Sequence, residues 1–320
     1  MSMKDLGIIG HKSKTLLIDG DIIVYQPCCI FNEDTDQARR QIAKHISNKV
    51  DKLMEDAGCD RFIMFVTTKF NFRDMLVDDY KANRNEADRP TNLAWAKRWA
   101  IAKLSNFYRK GLEADDLLGI YTGKDTVIWS TDKDLRQIPG EHLDEETREI
   151  ITVKAEGRLE EKHWVTESGN KLNKIYFEGL IGLYFQMLIG DSTDNILGCA
   201  KREEVTVKSG PNKGKVNVKR VGVGPKAAYN AIIKSIMANP MKPAEQALKA
   251  VIAEYKKRFG NGWQVNLETQ ANLLFMVREM PTDSLIKRWT FDGRDEYFDI
   301  DEGVIVTKEV FLNDYQEEDS

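Results

Sequence analysis

The chain has 320 residues, 42% of them hydrophobic and 31% charged, with a formal net charge of −4. That length supports one large or two modest domains with a real core, and the acidic balance excludes a protein that simply coats phosphate. No apolar run reaches the ~20 residues of a membrane span, "MSMKDLGIIGHKSK" lacks the apolar stretch of a signal peptide, and Cys28, Cys29, Cys59 and Cys199 form no C-x-x-C pair. The expectation is a reduced, cytoplasmic protein with no membrane partner and no cysteine- or histidine-based metal centre.

In chain order, "TLLIDGD" (15–21), "RFIMFVTT" (61–68) and "DTVIWSTD" (125–132) are short apolar runs bounded by polar residues, the pattern of buried parallel strands. Helical patterns fall between them at 36–57 and 93–108, and again from 114 onward. Alternation of this kind predicts an α/β fold with a parallel sheet, whose ligands bind beyond the carboxyl ends of the strands. Asp19, Thr68 and Asp132 stand at those ends.

From about 172 the chain reads as mostly helical. "KIYFEGLIGLYFQMLIG" (174–190) is an apolar helix that Gly190 can terminate, with further helices expected at 224–237, 243–258 and 265–280. "KREEVTVKSGPNKGKVNVKR" (201–220) alternates around a Gly/Pro/Asn turn, so it reads as an inserted hairpin with basic edges. "NEADRPTN" (85–92) is a loop.

Charge is uneven along the chain. Lys and Arg concentrate at 69–110 and 201–226, while acids recur in "IDGD" (Asp19, Asp21), "EADD" (Glu113, Asp115, Asp116), "STDKDL" (Asp132, Asp134), "GDSTDN" (Asp191, Asp194) and the tail. Each acidic group has an ordinary reading: a turn, a helix start favoured by the helix dipole, or an N-cap. The basic stretches likewise read as solvated faces. If the four acidic motifs converge, however, their repulsion calls for cations. Carboxylates and water are the ligands that Mg²⁺ and Mn²⁺ prefer, and two such ions can clamp the attacking and leaving oxygens of a phosphodiester.

"LLIDGD", "DDYKANR" (78–84), "GLEADDLLG" (111–119), "STDKDL", "GDSTDNILG" (190–198) and "VGVGPKAAYNAI" (221–232) together resemble the 5′→3′ exonuclease and flap endonuclease family, especially its bacteriophage and bacterial-type members. The motifs occur in the family's order and cover roughly residues 15–235. The resemblance implies a PIN-like parallel-sheet nuclease core over 1–172 with a helical arch at about 70–110. A helical, helix–three-turn–helix DNA-binding region follows over 173–285, and then an extension over 286–320. It implies hydrolysis of DNA phosphodiesters at 5′ ends, nicks or 5′ flaps, in DNA replication, repair or phage DNA metabolism, with RNA–DNA hybrids as a further substrate.

By the same resemblance, Asp19, Glu113, Asp115, Asp116, Asp132, Asp134, Asp191 and Asp194 hold two Mg²⁺ ions, which Mn²⁺ can replace, directly or through water. Lys81 and Arg84 contact the scissile phosphate, and Tyr80 offers a stacking surface for a terminal base. Gly222, Gly224 and Lys226 approach DNA phosphate at a helix–hairpin–helix element, where the family implies K⁺. Two features depart from the pattern. Thr67 and Thr68 stand where the family usually has an Asp after the second strand, and the 201–220 segment is inserted. With Lys201, Arg202, Lys208, Lys213, Lys215, Lys219 and Arg220, that insertion extends the DNA track or is a solvated hairpin. The alternatives are a DNA-binding relative with an attenuated site, suggested by Thr68, and a phosphatase of the haloacid dehalogenase type, suggested by "DGD" and "GDSTD".

Overall fold

The computed structural model describes residues 13–85, 88–166, 171–206, 209–211 and 213–307. Lys208, Glu86 and Ala87 and the acidic tail lie outside them. The first part runs β1 (Thr15–Asp19), α1 (Gly20–Ile30), α2 (Asp36–Ala57), β2 (Arg61–Phe65), α3 (Arg73–Leu76), α4 (Leu93–Lys103), β3 (Asn106–Phe107), α5 (Ala114–Tyr121), β4 (Thr126–Trp129), β5 (Gly140–Leu143) and β6 (Ile150–Val153). These strands form one sheet in the order β3-β2-β1-β4-β5-β6. All pairs are parallel except β5–β6. The α/β expectation therefore holds, with the three expected strands at the centre. Strand order reverses beside β1, which places a crevice past Asp19 and Trp129, where open α/β sheets take ligands.

The two faces of the sheet bury different partners. Leu16, Ile18 and Met64 pack with Ile42, Ile46 and Leu53 of α2 and with Ala96 and Ala100 of α4. Leu17, Ile63 and Phe65 pack with Leu117, Leu118 and Tyr121 of α5. The residues of α2 recur at helical spacing, Thr35 accepts from the Ala38 amide as its N-cap, and Gly58 closes it at φ +61°. α1 begins at Gly20, where a Cβ would stand 2.3 Å from the Phe65 carbonyl oxygen, so only glycine lets the helix start this close to β2.

The second part contains β7 (Arg158–Val165), β8 (Lys171–Glu178), α6 (Gly179–Ile189), β9 (Ala200–Thr206), β10 (Val216–Gly222), α7 (Pro225–Ala238), α8 (Pro243–Phe259) and α9 (Trp263–Leu274). It ends in a small sheet of β11 (Leu285–Lys287), β12 (Glu296–Asp299) and β13 (Val304–Thr307). The expected hairpin at 201–220 is present as β9–β10. The helix expected over 174–190 starts only at Gly179, because residues 171–178 pair with β7 instead. The switch is made at Gly179, with φ +60° and its Cα packed against Gly157. The residue boundary expected at 172 thus falls inside a hairpin. α6 to α9 share a core of Phe185, Leu188, Ile232, Val251, Tyr255 and Leu267. Ile286, Phe298 and Ile300 of the last segment pack against Phe72 and Leu112 on the sheet side.

Candidate active site

A cavity of about 570 Å³ opens at the carboxyl ends of the central strands. Glu113, Asp115, Asp132, Asp134, Asp191 and Asp194 line it, together with Tyr80, Arg84, Arg220, Gly222 and Gly224. Asp19 sits behind it, buried at the tip of β1. One of its carboxylate oxygens accepts from the Asp21 and Ile22 amides, and the other accepts from Ser130 Oγ at 2.8 Å. Motifs as far apart in sequence as those of Asp19 and Gly224 thus gather at one end of the sheet.

The carboxylates divide into two classes. Glu113 is the N-cap of α5 in a capping box with Asp116. It also accepts from Tyr80 at 2.8 Å, lies 3.4 Å from Arg73 and pairs with Lys81. Burial alone would raise its pKa, but Lys81 and Arg73 more than offset that and hold it down to about 2. Asp194 is paired with Arg84 and Lys81. Asp116, expected among the metal residues, is fully buried and fully committed. It takes two bonds of 2.8 Å from Arg73 and accepts the Glu113 and Val277 amides at 3.1 and 3.0 Å. Both of its oxygens are thereby occupied, and neither faces the cavity.

Asp19, Asp115, Asp132 and Asp134 have no cation of the protein within ion-pair distance among the described residues. Burial and then Asp21 push Asp19 up to about 7. Burial, Asp19 and Asp132 push Asp115 well above the carboxylate range. Burial and Asp132 push Asp134 up to about 8, and it lies close enough to Asp191 to share a proton. Asp132, at the rim, is raised by lost hydration and by Asp191 and Asp194. One oxygen of Asp134 is buried with no hydrogen-bond partner. An all-oxygen donor set held at high pKa with an orphaned buried oxygen fits a hard divalent cation. Among the described residues no three such side chains yet stand within ligating reach of one point, a spread expected of carboxylates that repel. Ligation would draw them together.

The basic side of the cavity is stitched to the acidic loop. The Lys81 amide donates to the Asp194 carbonyl at 3.0 Å, Asn83 Nδ2 to the Ser192 carbonyl at 2.8 Å, and Asn195 Nδ2 to the Asp79 carbonyl at 2.6 Å. Lys81 adopts φ +54°, a left-handed conformation costly for a side chain of this kind, so its ammonium is held toward Glu113 and Asp194 by tertiary contacts. Tyr80 does not offer a stacking surface. Its ring is 7% exposed, beneath the Lys81 ammonium, and its hydroxyl is spent on Glu113. Thr68 does not point a free hydroxyl at the carboxylates either, since its Oγ1 donates to the Phe70 carbonyl at 3.4 Å. Thr67 Oγ1 instead accepts the Ala114 amide at 2.9 Å, helping to start α5.

The glycines of "GVGPK" differ. Gly222 ends β10, and a Cβ there would stand 2.4 Å from Ala200 Cβ, so it serves strand packing. Gly224 is the N-cap of α7 with no side-chain cap and open space where a Cβ would be. Pro225 at the first position has no amide hydrogen, so the amides open to an anion are those of Lys226 and Ala227. Lys226 pairs with Glu161 of β7, away from the cavity lining.

Arg73 is not evident as a site residue in the sequence, and Arg220, read there only as one of the basic residues of the insertion, lines the cavity itself. Arg73 is 2% exposed and ties Glu113 and Asp116 to the Leu273 and Phe275 carbonyls at 3.0 and 2.8 Å, locking the end of α9 to the start of α5. Its signal was present in "FNFRDM", an arginine beside apolar residues, but an exposed arginine leaves the same trace. Arg220 lines the cavity opposite Arg202 across the β9–β10 ladder and donates to the Leu197 carbonyl at 2.8 Å.

Residues 14–168 match the 5′-3′ exonuclease, N-terminal resolvase-like domain. A 5′-3′ exonuclease of Buchnera aphidicola subsp. Schizaphis graminum (strain Sg) is 24% identical over 205 residues, spanning 59% of this chain and 67% of that protein. Among solved structures, a bacteriophage T5 protein co-crystallised with metal ions shares 16% identity, covers 82% of this chain and 86% of that one, and gives a TM-score of 0.44. A bacteriophage T5 flap endonuclease complex with DNA and metal ions shares 13%, covers 81% and 98%, and gives 0.43. Likeness at that level decides nothing about the site. The domain match leaves no place for a haloacid dehalogenase reading. No helix among the described residues is long and apolar enough to cross a membrane. Residues 14–168 thus carry the N-terminal resolvase-like domain of the 5′→3′ exonucleases, which are nuclease hydrolases.

Proposed function

We propose that this protein is a divalent-metal-dependent 5′→3′ exonuclease and 5′-flap endonuclease acting on DNA. The observation that carries the reading is the group of raised, unpaired carboxylates at the sheet's carboxyl end, with the orphaned oxygen of Asp134 among them. Asp19, Asp115, Asp132, Asp134 and Asp191 are the residues that would hold the ions. When bound, two Mg²⁺ ions supply an acidified water and neutralise charge on the attacked phosphodiester. Arg84 lines the cavity and Lys81 lies beside it, both paired with acids of the site, and they present fixed positive charge to the phosphate after exchanging Asp194 for it. Glu113, held ionised, orients Lys81. The uncapped start of α7 binds phosphate farther along the duplex, where K⁺ bridging is also expected, and the basic β9–β10 hairpin extends that track. A product map on 5′-labelled flap, nicked and blunt duplexes tests the reading. Products released from the 5′ side in Mg²⁺, and none in chelator, are expected. Products from the 3′ side only would overturn it.

The raised carboxyls also fix a pH dependence. An unfolded Asp titrates near 3.9, whereas folded Asp19 and Asp134 titrate near 7 and 8. Between those values the folded state binds more protons, so the ion-free protein loses stability from these groups as pH rises from about 4 to about 8. Mg²⁺ should therefore raise the melting temperature more at pH 8 than at pH 5. His142, held down to about 4 by burial, titrates alike with and without Mg²⁺ and cancels in the difference. Thermal melts with Mg²⁺ or chelator at both pH values check this, and equal shifts would speak against it.

A further inference from the structure

The β7–β8 hairpin carries a surface that the catalytic reading does not use. Its strands pair Lys162 with Lys174, Glu160 with Tyr176 and Trp164 with Leu172. These residues alternate onto one face of the ribbon. Trp164, Leu172 and Tyr176 are 42%, 44% and 36% exposed. Lys162 and Lys174 stand directly opposite each other, an arrangement that costs stability in a ladder. Neither lysine has a carboxylate partner among the described residues; both ammonium groups lie over the Tyr176 ring instead, at 4.7 and 5.0 Å. Of the two acids on this face, Glu160 lies near Arg158 and Glu178 is held by Arg158 and Arg136.

A face that pairs uncompensated cations with exposed rings matches a ligand carrying anions and flat apolar groups in alternation. A single-stranded nucleic acid has that chemistry: bases stack on Trp164, and phosphates drawing Lys162 and Lys174 off the Tyr176 ring would free it for a further base. The other face of the ribbon meets the site: Phe177 lines the carboxylate cavity and Glu161 pairs with Lys226 beside the start of α7, so the exposed face lies one strand thickness behind the cavity mouth. From Tyr176 to Leu172 the face runs outward for about 14 Å at strand spacing.

We propose that the Lys162, Trp164, Lys174 and Tyr176 face of this hairpin binds single-stranded nucleic acid running out of the cavity. The proposal deepens the nuclease reading and rests on it for the identity of the strand. The test uses the full chain in chelator, with a fluorescent oligothymidylate and a blunt duplex as probes. The paired change Lys162→Gln with Lys174→Gln should weaken oligothymidylate binding about tenfold and lower the slope of log K against log salt by about 1.4, two phosphates' worth. Trp164→Ala should weaken it about tenfold, with Trp164→Phe restoring most of the loss. Blunt-duplex affinity, and cleavage of that duplex in Mg²⁺, should stay within about twofold. Unchanged oligothymidylate affinity in both variants would overturn the proposal. Equal loss on single strand and duplex would also overturn it. Wild type that binds as described but cleaves nothing in Mg²⁺ would refute the nuclease reading and leave the binding surface standing. Normal cleavage with insensitive variants would do the reverse.

Discussion

Asp132→Asn is expected to lower Mg²⁺-dependent cleavage by at least about 10²-fold, because metal stabilisation of transition-state charge is worth several kcal/mol and each ~1.4 kcal/mol is tenfold. Binding of DNA in chelator should survive. Asp132 is the residue that couples the unpaired carboxylates, since its charge acts on Asp19, Asp115 and Asp134. The same substitution should raise the melting temperature of the ion-free protein, because it removes a charge that its neighbours oppose. A merely structural Asp132, acting as the N-cap that accepts the Asp134 amide, predicts the opposite sign. Cleavage rates and ion-free melts measured on one preparation separate the two.

Arg73→Ala is expected to cost about 3–5 kcal/mol of unfolding free energy, the range for removing one partner of a buried ion pair. The loss would leave Asp116 charged and buried without its two guanidinium bonds, and the Leu273 and Phe275 carbonyls without donors. Arg73→Lys should recover little, because an ammonium cannot make a bidentate contact and reach two carbonyls as well. Urea unfolding of the three proteins measures this. A cost below about 1 kcal/mol would mean that the network is not what joins α9 to α5.

The parts of the molecule that were legible in the sequence are those where pattern and burial coincide. β1, β2 and β4 are apolar runs buried in the sheet, and α2 matches its expected bounds of 36–57 because its buried residues recur with helical period. α1 was not legible: it starts at a glycine, carries Pro27 inside and shows little apolar periodicity. The β7–β8 hairpin was hidden for a related reason. "KIYFE" runs straight into the apolar α6, and only the positive φ of Gly179 marks the switch. Side-chain commitments were the least legible. "GLEADDLLG" shows three carboxylates in four residues, but the sequence cannot say that Glu113 caps the helix and holds Lys81, that Asp116 belongs to Arg73, and that Asp115 is left unpaired toward Asp19 and Asp132. Those assignments depend on Arg73, Tyr80 and Lys81, which lie more than 30 residues away.

The central claim is that these unpaired carboxylates are a cation-dependent hydrolytic site. Its most direct test is label release from a 5′-labelled flap duplex by the intact chain across a Mg²⁺ titration, with a chelator arm. The account predicts saturable cleavage in Mg²⁺ that is abolished by chelator and restored by excess Mg²⁺ or Mn²⁺. Cleavage that persists undiminished in chelator, or none at any ion concentration, would contradict it.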